Sequence, residues 1–163
     1  MTAATRLALP AVCMFLGASG ASAATKTTTF LVQAQITADC SITANDLNFG
    51  SLGVLSANND ATTTLTATCS NTTPYNVGLN AGSVAGSTVA TRLLGNGTAT
   101  LAFQLYRDAA RTQVWGITVG TDTSSGTGTG SAQTMQVYGR IPSQANTPAP
   151  GTYSSTITVT ITY

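Results

Sequence analysis

Apolar and polar residues alternate along several short stretches of this chain, most clearly in its last 13 residues, GTYSSTITVTITY. Ile157, Val159, Ile161 and Tyr163 alternate there with threonines. A repeat of two residues with β-branched side chains is typical of a β-strand. A strand with an apolar face needs a neighbour on each side, because an open apolar edge promotes aggregation. Since the sequence stops at Tyr163, we expect another polypeptide to supply the missing neighbour.

The same alternation recurs upstream and predicts further short strands. Their inward apolar positions are Leu65, Ala67 and Cys69; Tyr75, Val77 and Leu79; Leu101, Phe103 and Leu105; and Met135, Val137, Gly139 and Ile141. A shorter strand is predicted at 92–94, and the Thr-, Ser- and Gly-rich stretch 121–130 is predicted to be a flexible loop. About seven short strands separated by turn residues indicate a β-sandwich of the immunoglobulin type.

A further alternation lies near the start of the chain. Phe30, Val32, Ala34 and Ile36 are separated by Leu31, Gln33 and Gln35, and the pattern predicts a strand. It follows a short polar stretch, residues 24–29.

The composition supports an all-β domain. Hydrophobic residues make up 42% of the 163 residues, which is enough for a packed core, and charged residues only 7%. Threonine supplies 32 residues, whereas Glu and His are absent. Threonine favours strands, and the common exposed helix formers are nearly missing. No basic patch that would bind nucleic acid is visible.

Residues 1–23 have the features of a signal peptide, which leaves 24–163 as the mature domain. Arg6 provides the positive start, 7–17 the apolar run, and Ala21-Ser22-Ala23 the small-residue cleavage site. The run is too short to span a membrane, and no later stretch is long enough. The sequence therefore predicts export, with no membrane span in the mature form.

Two cysteines remain in the mature chain, Cys40 and Cys69. Because an exported chain meets oxidising conditions, we predict a disulfide between them. Closing this loop stabilises the fold by about 3–4 kcal/mol in the chain-entropy model. A reactive or metal-binding pair is the alternative, but neither cysteine lies in a CxxC motif and no His is available.

The inventory of side chains argues against an enzyme, a metal site or a cofactor. A serine triad needs a base, and the five Asp residues each lie in an apparent loop or turn. Asp108 and Arg111 are candidates for an ion pair across their turn, which as an exposed pair would contribute little to stability. Trp115 and Tyr106 are candidates for a sugar-stacking site, although packing at the edge of the core is the favoured interpretation.

Several segments together resemble the spore coat U (SCPU) domain family, which includes subunits of archaic, Csu-type chaperone–usher pili. The segments are Asp39-Cys40, LNFG at 47–50, Cys69, LYRDAART at 105–112, VWG at 114–116, YGRIP at 138–142, and the ending GTY at 151–153 with TVT at 158–160. The resemblance covers nearly the whole mature chain, and LYRDAART and the ending are its most specific parts.

The resemblance implies an incomplete immunoglobulin-like sandwich of pilin type that a donated strand completes. A periplasmic chaperone would lend a strand, and an outer-membrane usher would exchange it for the N-terminal segment of an identical or related subunit. Phe30, Val32, Ala34 and Ile36 would then be the donated side chains, with 157–163 as the acceptor edge. The alternative is that 30–36 forms the first strand of its own domain, since only 16 residues, Ala24 through Asp39, precede Cys40 in the mature chain.

The resemblance thus implies a structural pilus subunit, exported to the periplasm and then displayed at the cell surface for adhesion or biofilm formation. Two other functions remain open. One is a structural protein of a spore or cyst coat, as the family name suggests. The other is a sugar-binding adhesin domain.

Overall fold

The computed structural model describes residues 20 and 22–163, so the predicted signal segment lies almost wholly outside the described residues. The chain divides into two units, Met1–Ala34 and Gln35–Tyr163. All assigned strands belong to the second unit. Within the described residues there is no helix, and so none that is long and apolar enough to cross a membrane.

Eight strands form, most of them where the sequence alternates between apolar and polar residues. They are β1 (Cys40–Ala44), β2 (Asn59–Cys69), β3 (Pro74–Leu79), β4 (Arg92–Gly95), β5 (Thr100–Tyr106), β6 (Ser124–Thr127), β7 (Ala132–Ile141) and β8 (Val159–Thr162). The predicted strands that begin near residues 61, 75, 92, 101 and 135 are confirmed.

The strands form two antiparallel sheets. The larger sheet has the order β1-β2-β7-β5-β4, and the smaller has the order β6-β3-β8. Strands β2 and β7 pair along ten residues, from Asn59 opposite Ile141 to Thr68 opposite Ala132, and form the backbone of the larger sheet. This architecture confirms the predicted all-β, incomplete immunoglobulin-like sandwich.

The core lies between the two sheets and contains the predicted inward side chains. Buried residues include Leu65 and Ala67 from β2, Val77 and Leu79 from β3, and Phe103 from β5. Trp115 is also buried, and its indole N–H donates to the Val77 carbonyl at 2.8 Å. The packing interpretation of Trp115 is therefore correct, and a sugar-stacking role for this side chain is wrong.

The disulfide between Cys40 and Cys69 is present, and it joins β1 to β2 where these two residues face each other in the register. It fixes the start of β1 to the larger sheet. The two cysteines are 29 positions apart in the sequence.

Arg92 at the start of β4 is fully buried, which the sequence did not predict. Its five N–H groups have five acceptors. These are the carbonyls of Asn80 at 2.9 Å, Leu79 at 2.9 Å, Trp115 at 2.7 Å and Val89 at 3.4 Å, and Oε1 of Gln104 at 2.5 Å. Burial lowers the pKa of Arg92 to about 10, so the group remains charged at neutral pH. Since Leu79 ends β3, this side chain ties the two sheets together.

The stretch predicted to be a flexible loop contains strand β6, so that prediction is wrong. Strand β6 pairs with β3, from Pro74 opposite Thr127 to Val77 opposite Ser124. The small residues have a packing reason, because a Cβ on Gly126 would collide with the ring of Tyr75. Low complexity here reflects a close approach between strands.

The turn after β5 is built differently from the expectation. The Asp108 carboxylate forms no ion pair with Arg111, although the Arg111 N–H donates to the Asp108 carbonyl at 3.0 Å. This carboxylate instead accepts hydrogen bonds from the backbone N–H groups of Thr112 and Gln113. These bonds, the one from Gln113 foremost, lower the pKa of Asp108. Arg111 has a φ of 58°. Its Nη1 lies 3.2 Å from Oδ2 of Asp60, and its Nε donates to the Gly139 carbonyl at 3.2 Å.

Candidate functional site

A groove of about 1070 Å³ opens between the two sheets. Its floor is formed by core side chains of both sheets, and its sides are the segments 44–55 and 147–157. Apolar lining residues are Leu65, Leu79, Leu101, Phe103, Leu105, Val137, Ile141, Ile157 and Val159. Among the described residues that line it, Asp46 is the one with a charged side chain. The groove is therefore largely apolar along its floor and suits an uncharged ligand.

Strand β8 borders this groove and lies at the edge of the smaller sheet. It pairs with β3 on one side, from Asn76 opposite Thr162 to Leu79 opposite Val159. Within residues 22–163 no strand pairs with its other side. The side chains of Val159 and Ile161 are half-buried against the core, whereas Thr160 and Thr162 are exposed.

The register decides which backbone groups of β8 remain open. The N–H of Asn80 donates to the Thr158 carbonyl at 3.1 Å, so these two residues form a hydrogen-bonded pair. Bonded and non-bonded pairs alternate in an antiparallel ladder. Thr160 and Thr162 therefore bond to β3, and the N–H and C=O groups of Val159 and Ile161 point away from it. These outward groups can bond an added strand.

The opposite wall of the groove is the segment 46–54, which belongs to no strand. Asn45 anchors one end through its N–H to the Thr64 carbonyl at 3.0 Å. Leu55 anchors the other end through its carbonyl, which accepts from the N–H of Gln144 at 2.8 Å. Among the described residues, no backbone–backbone bond joins 46–54 to a neighbouring strand. The groove thus has an unpaired edge on each side.

Leu47 and Phe49 hold this wall against the larger sheet. Both side chains are half-buried and pack on the core. They lie over Gly139 of β7, where an added Cβ would stand 2.5 Å from Cδ2 of Leu47 and 3.0 Å from Cζ of Phe49. The sequence pattern predicted no site role for Leu47 and Phe49. Two features of the sequence could have indicated this contact: the alternation of Leu47 and Phe49 in LNFG, and the glycine at an inward position of the predicted strand that ends at Ile141.

The four residues predicted to form an acceptor edge differ in their burial. Ile157, Val159 and Ile161 are half-buried and pack on the core. Tyr163 follows β8 and is 56% exposed, so it does not continue the half-buried face of this segment. Its hydroxyl donates instead to Oδ1 of Asp39 at 3.3 Å.

The N-terminal residues 22–39 form no strand in this structure, so the alternative in which 30–36 is the first strand of its own domain finds no support here. Phe30 is 85% exposed, Val32 is 80% exposed and Ile36 is 92% exposed. Ala34 is also exposed. The four predicted donor side chains are therefore unburied.

Within the described residues, no three His, Cys, Asp or Glu side chains form a cluster that could hold a metal ion. The groove offers backbone hydrogen-bonding groups and apolar surface. Groups of these two kinds are the ones that an extended peptide uses when it adds to the edge of a sheet.

Comparison with solved structures places this architecture among known folds. A chain in the crystal structure of the CsuC–CsuE chaperone–tip adhesion subunit pre-assembly complex, from archaic chaperone–usher Csu pili of Acinetobacter baumannii, matches with a TM-score of 0.57 and 24% sequence identity. The match covers 78% of this chain and 40% of that chain, so the present chain spans less than half of the other's length. The likeness shows a shared fold.

Comparison by sequence identifies the family. No curated protein matches the chain by sequence. The family model of the Spore Coat Protein U domain matches residues 26–160, which include every strand except the last two residues of β8. This chain belongs to the Spore Coat Protein U (SCPU) domain family.

Proposed function

We propose that this protein is a structural subunit of a surface pilus that is assembled by the chaperone–usher pathway through donor-strand exchange. The observation that carries the proposal is the apolar groove with an unpaired edge on each side. An extended peptide added to such an edge gains affinity from backbone bonds and specificity from alternate side chains. The fold shared with a chain of the Csu complex supports this interpretation.

The N-terminal segment has the chemistry of the donated strand. Residues 27–37, TTTFLVQAQIT, carry no charge, and the groove is lined by a single charged side chain among the described residues. Phe30, Val32, Ala34 and Ile36 lie on one face of an extended chain and are exposed. Burying them in the groove of a neighbouring subunit contributes on the order of 5–8 kcal/mol before ordering costs.

The partners follow from this mechanism. A periplasmic chaperone fills the groove first, and an outer-membrane usher then exchanges its strand for the N-terminal segment of an identical or related subunit. The chain is exported through a signal peptide at 1–23 that is cleaved after Ala23, and it ends in a pilus at the cell surface. The assembly serves adhesion and biofilm formation.

The test uses the chain from Ala24 to Tyr163, purified without a chaperone. We expect strand-exchanged oligomers that resist dissociation in unheated detergent gels, and deletion of 24–36 abolishes them. Val32→Asp places a charge on the donated face and blocks assembly. Gln33→Asp is the matched control, because it places the same charge on the opposite face and leaves assembly intact.

A synthetic peptide of residues 24–37 provides the second readout. When it is added to the deletion variant, the amides of Val159 and Ile161 become protected from hydrogen exchange. The amides of Thr160 and Thr162 are protected beforehand by β3. Two results contradict the proposal. One is oligomers that persist after deletion of 24–36, and the other is unchanged hydrogen exchange at Val159 and Ile161 when the peptide is added.

The family description suggests a second candidate, a structural protein of a spore or cyst coat. The same groove serves in that case, and only the assembled object differs. Neighbouring genes for a chaperone and an usher favour the pilus.

A further inference from the structure

A second cleft, of about 290 Å³, lies on the larger sheet next to the turn that follows β5. Its lining includes Tyr106 and Ala102 of β5, Arg140 of β7, and Val114 and Pro142. Gln104 faces Arg140 in the β5–β7 register, and Tyr106 faces Tyr138. Tyr106 and Arg140 are therefore diagonal neighbours on one face of the sheet.

The guanidinium of Arg140 is held rigidly at this cleft. Its Nε and Nη2 donate to the two carboxylate oxygens of Asp60, at 2.8 and 2.9 Å. Asp60 is held in turn by Arg111 at 3.2 Å, and Arg111 lies over the ring of Tyr138, 5.7 Å from its centroid. These contacts fix the position of the Arg140 side chain before any ligand arrives.

Part of this guanidinium remains available for binding. The Arg140 side chain is 27% exposed, and among the described residues its Nη1 has no hydrogen-bond partner. The hydroxyls of Tyr106 and Tyr138 likewise bond to none of the described residues, which adds two donors nearby. Arg111, Arg140 and Asp60 together leave one net positive charge.

The chemistry of the lining defines the ligand. An exposed guanidinium edge recognises carboxylates, and one net positive charge matches a monoanion. The aromatic ring of Tyr106, with Val114 and Pro142, offers a surface for the C–H face of a sugar ring. The volume lies near the lower end of small-ligand pockets, roughly 300–1,000 Å³, which suits a single ring.

We infer that the cleft between Tyr106 and Arg140 is a binding site for a carboxylated sugar unit, such as the uronate residue of an acidic polysaccharide. The ring stacks beside Tyr106 and the carboxylate bonds to Nη1 of Arg140. This site does not depend on strand exchange, because its polar residues come from the outward positions of β5 and β7, whereas the groove is lined by the inward ones.

Calorimetry on the chain from Ala24 to Tyr163 tests the site with three probes: a galacturonate trimer, the neutral trisaccharide maltotriose, and sodium acetate. We expect the galacturonate trimer to bind and its affinity to fall with added salt. Maltotriose and acetate at the same concentration bind at least about tenfold more weakly, because maltotriose lacks the carboxylate and acetate lacks the sugar ring. Equal binding of either control, or no binding of the galacturonate trimer, overturns the inference.

Variants locate the site. Arg140→Gln removes the guanidinium and weakens binding of the trimer by about tenfold or more. Tyr106→Ala does the same without touching the ion pair with Asp60, so it remains informative if the first variant folds poorly. Thr134→Ala, an outward position on the same strand β7, is the matched control and leaves affinity unchanged. Unaltered affinity in both cleft variants overturns the assignment.

Discussion

Replacing Arg92 tests whether one buried side chain holds the two sheets together. In Arg92→Met, the volume is roughly kept, but the five N–H groups are lost. The carbonyls of Leu79 and Trp115, which both bond to Nη2 in the interior, lose their partner. Each unsatisfied buried acceptor costs about 1–3 kcal/mol, so these two alone account for about 2–6 kcal/mol.

The loss of the guanidinium also removes the cost of burying a charge, which offsets part of this penalty. We therefore expect Arg92→Met to lower the free energy of unfolding by about 3–5 kcal/mol, a large share of the roughly 5–15 kcal/mol of a typical domain. Arg92→Lys keeps the charge but has three donors instead of five, and we expect about half of that loss.

Urea unfolding followed by the fluorescence of Trp115 measures the effect, because this single Trp is buried beside the guanidinium. The matched control is Arg140→Met, whose exposed ion pair with Asp60 contributes about 0–1 kcal/mol. A loss below about 1 kcal/mol for Arg92→Met, equal to the control, refutes the reasoning that unsatisfied carbonyls dominate.

Three further changes test other parts of the fold. Reducing the Cys40–Cys69 bond lowers the free energy of unfolding by about 3–4 kcal/mol, measured by urea unfolding with and without reductant, and no shift in midpoint contradicts this. Gly139→Ala overpacks the groove wall and costs about 1–3 kcal/mol, whereas Gly53→Ala, with nothing within 4 Å of its Cβ, changes the midpoint little. The pKa of Asp60 is lowered, chiefly by the hydrogen bond from Arg140. The ion pair therefore adds a small amount to the free energy of unfolding above pH 3.8, the ordinary pKa of Asp, and this amount is lost as the pH falls through the lower pKa of the folded state. We expect Asp60→Asn to make the urea midpoint of unfolding depend less on pH in this acid range. A pH profile identical to that of the unsubstituted protein argues against a contribution from the ion pair.

Alternation along the chain was sufficient to predict the sandwich and most of its inward side chains. Around Val77 and Phe103, the alternation of apolar and polar residues arises because one face of each strand packs on the core and the other does not. Such a pattern can be read from a few neighbouring residues. The same pattern predicted strand β8.

Long-range contacts explain what the pattern missed. Strand β6 is polar and rich in glycine, and only its pairing with β3 reveals why Gly126 must be small. The acceptors of Arg92 come from four separate parts of the chain, so no local signal marks it as buried. Tyr163 continues the alternation, but its ring turns to Asp39.

The partner choice of Arg111 shows the same limit. Sequence distance favoured Asp108, three residues away, yet that carboxylate is used by backbone N–H groups of its own turn. Asp60 is remote in sequence but adjacent in the sheet, because it faces Arg140 in the β2–β7 register. Ion pairs across strands depend on register.

The wall at 46–54 is fastened at Asn45 and Leu55 and carries no ladder between them. Bending it outward therefore breaks no backbone bond and lifts only the side chains of Leu47 and Phe49 from the sheet. Such a segment yields locally at small free-energy cost. If strands are donated as proposed, this wall allows the groove to fit wider or narrower side chains, so one subunit can accept donor segments of related sequence.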